Sequence, residues 1–402
     1  MKQKIVVAYS GGLDTSVMVK WLSETYQADI ITYTANLGQT EELKGIKEKA
    51  LKTGASKAII EDLKDEFVEH YILPSVQGRT LYEGEYPLAT ALGRPLIAKR
   101  LVEIAEQEGA SIIAHGCTGK GNDQVRLELG IQTLAPHIQV IAPLREWEFK
   151  SREEEIDYAI AHGIPISATK DSPYSIDENI WGTAIECGSL ENLMLDIPSD
   201  AFQITNDLEY TPNDPLKLSL EFEKGIPVSL NQIPISPVEL IEHLNELGGA
   251  HGIGRLDLVE NRVVGIKSRE LYESPAAMIL HKAHHELEKL VLDKETFRYK
   301  YGVAHHLANL IYDGLWFSPL TQSLFEFVKS TQKYMNGQIS LKLFKGTLTV
   351  VSRESEYSLY NEELATYTIQ DQFNHKAAKG FIELYGLPQK NIAVARGKKE
   401  YA

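Results

Sequence analysis

The run AYSGGLDTS (8–16) has the residue types and spacing of a phosphate-binding turn. Gly11 and Gly12 permit a tight turn and a close approach of backbone to an anion. Ser10, Thr15 and Ser16 add hydroxyl donors, and the helix expected after them aims its free N–H groups at the same spot. Asp14 is out of place beside phosphate. It fits instead as a helix N-cap or as a water-mediated contact to Mg²⁺. The run matches neither the dinucleotide pattern GxGxxG nor the Walker pattern GxxxxGK[ST]. A strand–turn–helix made for folding alone would also use a glycine pair, but has no need of the full SGGxDTS set.

A second constellation follows in AHGCTGKGNDQVRLE (114–128), which gathers Thr118, Lys120, Asn122, Asp123 and Arg126. A hydroxyl, an amide, a carboxylate and a guanidinium together suit a small zwitterion with ammonium and carboxylate ends. A solvated loop leading into a helix would carry the same charges at no cost. Further along, His281, His284 and His285 stand at i, i+3 and i+4. Without HExxH or a nearby cysteine they read as a polar interface or a solvated face, not a metal site.

These residues need elements to place them. KIVVAY, DIITYT, KAII, SIIA and QVIA are β-branched runs that alternate with helical patterns over 14–26, 41–53 and 95–109, the last opened by Pro95. Ser151 and Glu154 form a capping-box pattern before the next helix. Strands and helices in alternation predict an open, doubly wound parallel sheet with its ligand outside the strands' carboxyl ends. After about Lys170 the rhythm stops. LKLSLEF with PVSLN, and 339–343 with 347–351, read as hairpins, and 275–292 and 320–333 as helices, which together predict an α+β region. Trp316 reads as core or interface packing. A further amphipathic run spans 371–384 before the charged end ARGKKEYA.

Composition narrows the function classes. At 402 residues the chain has room for two or three domains, and 43% hydrophobic content supplies a sizeable core. Lys and Arg total 41 against 56 Asp and Glu, a net charge of −15, which argues against a nucleic-acid or membrane-surface partner. Two cysteines, Cys117 and Cys187, give no disulfide framework, so a reducing, cytoplasmic setting is expected. No signal peptide and no membrane span are expected either.

The SGGxDTS turn resembles the pyrophosphate loop of the N-type ATP pyrophosphatases. Within that group the chain is similar to the argininosuccinate synthases, through AHGCTGKGNDQVRLE, TANLGQ (34–39), LYEGEYPLATALGRP (81–95), SIDEN (175–179), GRLDLVENRVVGIKSRELYE (254–273) and RESEYSLYNEEL (353–364). The resemblance implies an α/β chain of three parts: a nucleotide-binding domain (1–168), an α+β synthetase domain (169–362) and a C-terminal oligomerisation helix in a tail (363–402) docked on a neighbour in a homotetramer. It implies ATP contacts at Ala8, Tyr9, Ser10, Gly11, Gly12, Leu13, Asp14, Thr15, Ser16, Ala35 and Gly116. Aspartate contacts fall on Thr118, Asn122 and Asp123, and citrulline contacts on Tyr86, Thr90, Asn122, Arg126, Ser175, Glu260 and Tyr272. Ser10, Asp14, Thr15 and Asp123 stand nearest the chemistry. Ala184 and Ala91 replace serines that members of the family carry near citrulline. The implied reaction joins citrulline to aspartate through citrullyl-AMP, releasing AMP and pyrophosphate. Mg²⁺ is expected to arrive with ATP, not in a protein-only cage. A tRNA-thiolating or amidating pyrophosphatase is the alternative, and would want CxxC cysteines, a basic surface or a glutaminase domain. A nucleotide-binding sensor on the same fold would explain the glycine turn but not the later segments.

Overall fold

The first β-branched runs pair as a parallel sheet: β1 (Lys4–Ala8), β2 (Asp29–Asn36), β3 (Lys57–Asp62), β4 (Ile112–Ala114) and β5 (Gln139–Ile141), in the order β3-β2-β1-β4-β5. Alternation along β1 serves two layers. Ile5 and Val7 pack with Met18, Val19 and Leu22 of α1 (Leu13–Thr25), whereas Val6 joins the core beneath α3 (Ala89–Glu108). Helices α2 (Ile46–Thr53), α4 (Asn122–Leu134) and α5 (Arg152–Ala161) complete the covering. The winding runs outward from β1 through β2 to β3, then returns to β4 and β5. The switch point therefore lies between the carboxyl ends of β1 and β4. This computed structural model describes residues 2–39, 43, 45–149, 151–165 and 174–397.

Antiparallel strands make up the second half. One sheet holds β6 (Ser175–Asn179), β7 (Gly182–Glu186), β11 (Arg255–Asn261) and β12 (Lys267–Glu273), in the order β11-β12-β7-β6. The other has the order β10-β9-β8-β13-β14, from β8 (Leu216–Glu223), β9 (Ile226–Leu230), β10 (Ile233–Pro234), β13 (Gly337–Phe344) and β14 (Thr347–Glu354). Helices α6 (Pro237–Ala250), α7 (Pro275–Val291), α8 (Lys294–Tyr312) and α9 (Pro319–Thr331) lie among them. The compact unit Met1–Tyr357 contains both halves. Trp316 stacks on Tyr71 as a buried packing residue. The separate unit Ser358–Ala402 carries α10 (His375–Tyr385) and α11 (Leu387–Arg396), neither of which buries a side chain.

Several expectations are corrected. Pro95 does not open its helix: α3 starts at Ala89, after Leu88 in a left-handed conformation. The second half holds that start in place, with the Trp181 indole N–H donating to the Pro87 carbonyl and the Asn179 amide to that of Ala89. Long-range bonds here outweigh the proline preference. The helix expected from 41 begins at Ile46; residues 40–42 and 44 lie outside the described residues, as does the boundary near 168. His281 and His284 are not on a solvated face but on the buried stripe of α7, where burial pushes their imidazoles down to about 3 and about 4. The amphipathic run 371–384 does form a helix, α10, and a second one, α11, follows it.

Candidate active site

The turn between β1 and α1 is held by its own polar groups. Gly11 has φ +83°, a region open to glycine at no steric cost, and Lys49 donates to its carbonyl. Ser10 Oγ lies 3.2 Å from Thr15 Oγ1 and accepts the Gly12 N–H at 3.3 Å. Ser16 is buried against the Tyr9 hydroxyl, and Thr34 donates to the Tyr9 carbonyl. Gly12 is the N-cap of α1, which corrects the N-cap expected at Asp14: Asp14 is the helix's second residue. Its carboxylate acts on Glu155 of α5, whose carboxyl is pushed up to about 7 by burial and then by Asp14. Gly116, after β4, lies against this turn: a Cβ there would stand 3.2 Å from Thr15 Cγ2. Ala35 is the penultimate residue of β2, the strand that pairs with β1, so the expected nucleotide residues collect at the carboxyl ends of the central strands.

Beside them is a pocket. One wall is the first two turns of α4, with Asn122, Asp123 and Arg126; Tyr86 stands just before α3, and Thr90 is the second residue of that helix. The facing wall is one face of the antiparallel sheet. Strand alternation brings Ser175 and Asp177 of β6, Ala184 and Glu186 of β7, and Glu270 and Tyr272 of β12 to that face, with Glu260 of β11 beside them. Tyr86 stacks on Tyr272 at 3.8 Å, and its hydroxyl lies 2.8 Å from Thr90 Oγ1.

The charges in the pocket partner one another. Arg94 donates to Asp123 at 2.6 Å and also to Asp177. Arg126 donates to the other Asp123 oxygen at 3.0 Å. Arg262, at the β11–β12 turn, bridges Glu186 and Glu270. Burial works to raise the Asp123 carboxyl, but Arg94 and Arg126 prevail and hold it at about 2. Asp177 is raised by burial. Burial and the Glu186 charge push Glu270 up to about 7. Burial also raises Glu260, against hydrogen bonds from Tyr272 and Tyr312. Arg126 lines the pocket, and its buried Nη2 has no hydrogen-bond partner among the described residues.

Two family models match the chain, one described as the arginosuccinate synthase N-terminal HUP domain over residues 4–165, the other as the arginosuccinate synthase C-terminal domain over 174–392. The chain belongs to the argininosuccinate synthase family. Argininosuccinate synthase of Pelodictyon phaeoclathratiforme is 59% identical over 98% of each chain. The namesake from Chlorobium luteolum is 58% identical over 98% of each, and that from Chlorobaculum tepidum is 56% identical over 97% of this chain and 98% of its own. As a member of the family the chain is an ATP-dependent, AMP-forming C–N ligase of arginine biosynthesis, and the tRNA-directed alternative is not favoured.

All the residues that likeness to argininosuccinate synthases assigned to citrulline line the one pocket, and Ala184 lines it too. Thr118 is exposed on the loop before α4 and is not among the lining residues; Asn122 and Asp123 are. Ala91 is buried in α3 and does not line the pocket. Sequence reasoning missed Asp177, Glu186 and Glu270, which stand two positions from Ser175, Ala184 and Tyr272; period-two alternation was the signal for them. Arg94, Arg262 and Tyr312 arrive from a helix interior, a turn and a helix end, with no sequence signal.

Proposed function

We propose that the pocket and the turn form the two ends of one active site, which joins L-citrulline to L-aspartate at the expense of ATP. The observation that carries this reading is the gathering of Tyr86, Thr90, Asn122, Arg126, Ser175, Glu260 and Tyr272 around one pocket beside the switch point. Ser10, Gly11, Gly12, Leu13, Thr15 and Ser16 cradle the phosphates, with Ala8, Tyr9, Ala35 and Gly116 around the nucleotide. Asn122 and Arg126 follow β4, the neighbour of β1, so the ureido group lies at their end. The acidic sheet face receives the α-ammonium.

The ureido oxygen attacks the α-phosphorus, pyrophosphate leaves, and citrullyl-AMP forms. The aspartate amine then attacks the ureido carbon, AMP departs with that oxygen, and the amine proton is released. Positioning and charge neutralisation supply most of the barrier reduction. Thr118, Asn122 and Asp123 hold aspartate. Both Asp123 oxygens already accept from guanidinium groups, of Arg94 and Arg126, so Asp123 serves to orient the amine. The donor set beside the turn suits Mg²⁺: Asp14 stands against Glu155, whose buried Oε2 has no hydrogen-bond partner among the described residues. Those two carboxylates would hold the ion, which when bound neutralises phosphate charge.

The domain division at 168 and 362, a homotetramer joined through the tail and a cytoplasmic setting complete the proposal. Supporting them, α10 and α11 bury no side chain, both cysteines are free, and no described helix is long and apolar enough to cross a membrane. The test is pyrophosphate release from MgATP with citrulline and aspartate, separately and together. Sustained release only with both, matched by argininosuccinate, is expected; sustained release driven by another acceptor contradicts the substrate assignment.

A further inference from the structure

Tyr312, the last residue of α8, is absent from both sequence patterns and from the pocket lining, yet it stands where the pocket's key side chains meet. Its hydroxyl donates to Glu260 Oε1 at 2.5 Å and accepts from Asn122 Nδ2 at 2.9 Å. Its backbone carbonyl accepts Arg126 Nε at 2.9 Å, and the Arg126 guanidinium lies 4.7 Å from its ring centroid. These three partners come from two distant elements, α4 and β11, and the hydroxyl joins them as donor and acceptor together.

The anchoring is rigid on every side. The Tyr312 ring is fully buried and stacks on Tyr82 at 3.5 Å with an interplanar angle of 5°. Tyr82 in turn donates to the Asn261 carbonyl, next to Glu260. Gly314, at φ +80°, lets the chain after α8 pass against Arg126; a Cβ there would come within 2.8 Å of Arg126 Cα. The second Glu260 oxygen accepts from Tyr272 at 2.6 Å, and Asn122 Oδ1 accepts the Val263 N–H at 2.9 Å. Each side chain thus keeps one defined orientation before any ligand arrives.

We propose that Tyr312 is a positioning residue for the amino-acid end of the site: its hydroxyl fixes Glu260 and the Asn122 amide, and its carbonyl sets the direction of Arg126. This rests on the reading of the pocket as the citrulline site. Its effect falls on citrulline, with a smaller one on aspartate through Asn122, and leaves ATP alone.

Tyr312→Phe keeps the ring stack and removes only the hydroxyl. In full-length enzyme the citrulline KM should rise about tenfold, equivalent to about 1.4 kcal/mol. The turnover number and the ATP KM should stay within about twofold of wild type. The acid limb of kcat/KM for citrulline should move to higher pH, because Glu260 loses a donor that favours its ionised form. An unchanged citrulline KM, or equal rises for citrulline and ATP with an unmoved acid limb, overturns the proposal. If Tyr312→Phe does not fold, Tyr82→Leu leaves the hydroxyl and removes the ring beneath it. A citrulline-specific rise supports positioning there, and an unchanged citrulline KM overturns it. Wild-type enzyme that makes no argininosuccinate would remove the pocket assignment itself, a result distinct from a silent Tyr312→Phe.

Discussion

At the phosphate end, the turn after β1 offers backbone N–H groups and small hydroxyls, with Ser10 and Gly12 exposed and no guanidinium bonded to any of them among the described residues. At the amino-acid end, Arg94, Arg126 and Arg262 are locked to Asp123, Asp177, Glu186 and Glu270 on four different elements. The first end gets its positive potential from chain direction, which costs little when the site is empty. The second holds half-buried charges that must largely neutralise one another, with Arg126 and Glu270 buried among them. Changes at the turn should therefore alter activity with little effect on stability, and changes in the pocket should alter both.

The largest expected effect is that of Arg94→Met, which leaves Asp123 and Asp177 facing each other without their shared cation. Loss of one partner from such a half-buried cluster costs about 1–3 kcal/mol, read as a fall in urea midpoint together with lost argininosuccinate synthesis. A variant as stable as wild type would break the comparison on the pocket side. Next comes Ser10→Ala, expected to lower kcat/KM for ATP about a hundredfold, by analogy with loss of one oxyanion donor. Its melting temperature should not move, since an exposed hydroxyl is worth within about 0.5 kcal/mol of stability. Destabilisation there would mean that the turn, too, is structural.

Two smaller effects sharpen the contrast. Glu270 is pushed up to about 7, so the folded chain keeps a proton that the unfolded chain releases from about 4.5 upward. Wild-type stability should fall as pH rises through that window, and Glu270→Gln should flatten the fall in thermal melts. Equal slopes would mean that Glu270 is ionised throughout. Smallest is Ala184→Ser, which adds a hydroxyl opposite Tyr272. Citrulline KM should fall by at most about tenfold, the worth of a net hydrogen bond; a rise would show that the methyl group fills space citrulline does not leave.

The same contrast governs what could be read in advance. The turn is local: strand, glycines, hydroxyls and helix follow one another, and 8–16 spelled out its place at the carboxyl end of β1. The parallel sheet was legible for the same reason, through β-branched runs separated by helical periods. The pocket is assembled from segments that only the tertiary fold brings together. Its citrulline residues came from likeness to the family, Asp177, Glu186 and Glu270 lay hidden in strand alternation, and Arg94, Arg262 and Tyr312 had no local mark. The Pro95 helix shows how such contacts mislead in the other direction. Bonds from Asn179 and Trp181 fix a helix start that no local signal announces. Burial of His281 and His284 likewise depends on what α7 packs against, not on their spacing.

The proposed reaction requires the ureido oxygen to meet the α-phosphorus where pocket and turn adjoin. Citrulline carrying ¹⁸O in its ureido group, turned over with MgATP and aspartate, tests this directly through the mass of the AMP and pyrophosphate formed. Attack by the ureido oxygen predicts one ¹⁸O in the phosphate of AMP and none in pyrophosphate. Unlabelled AMP alongside argininosuccinate would contradict it.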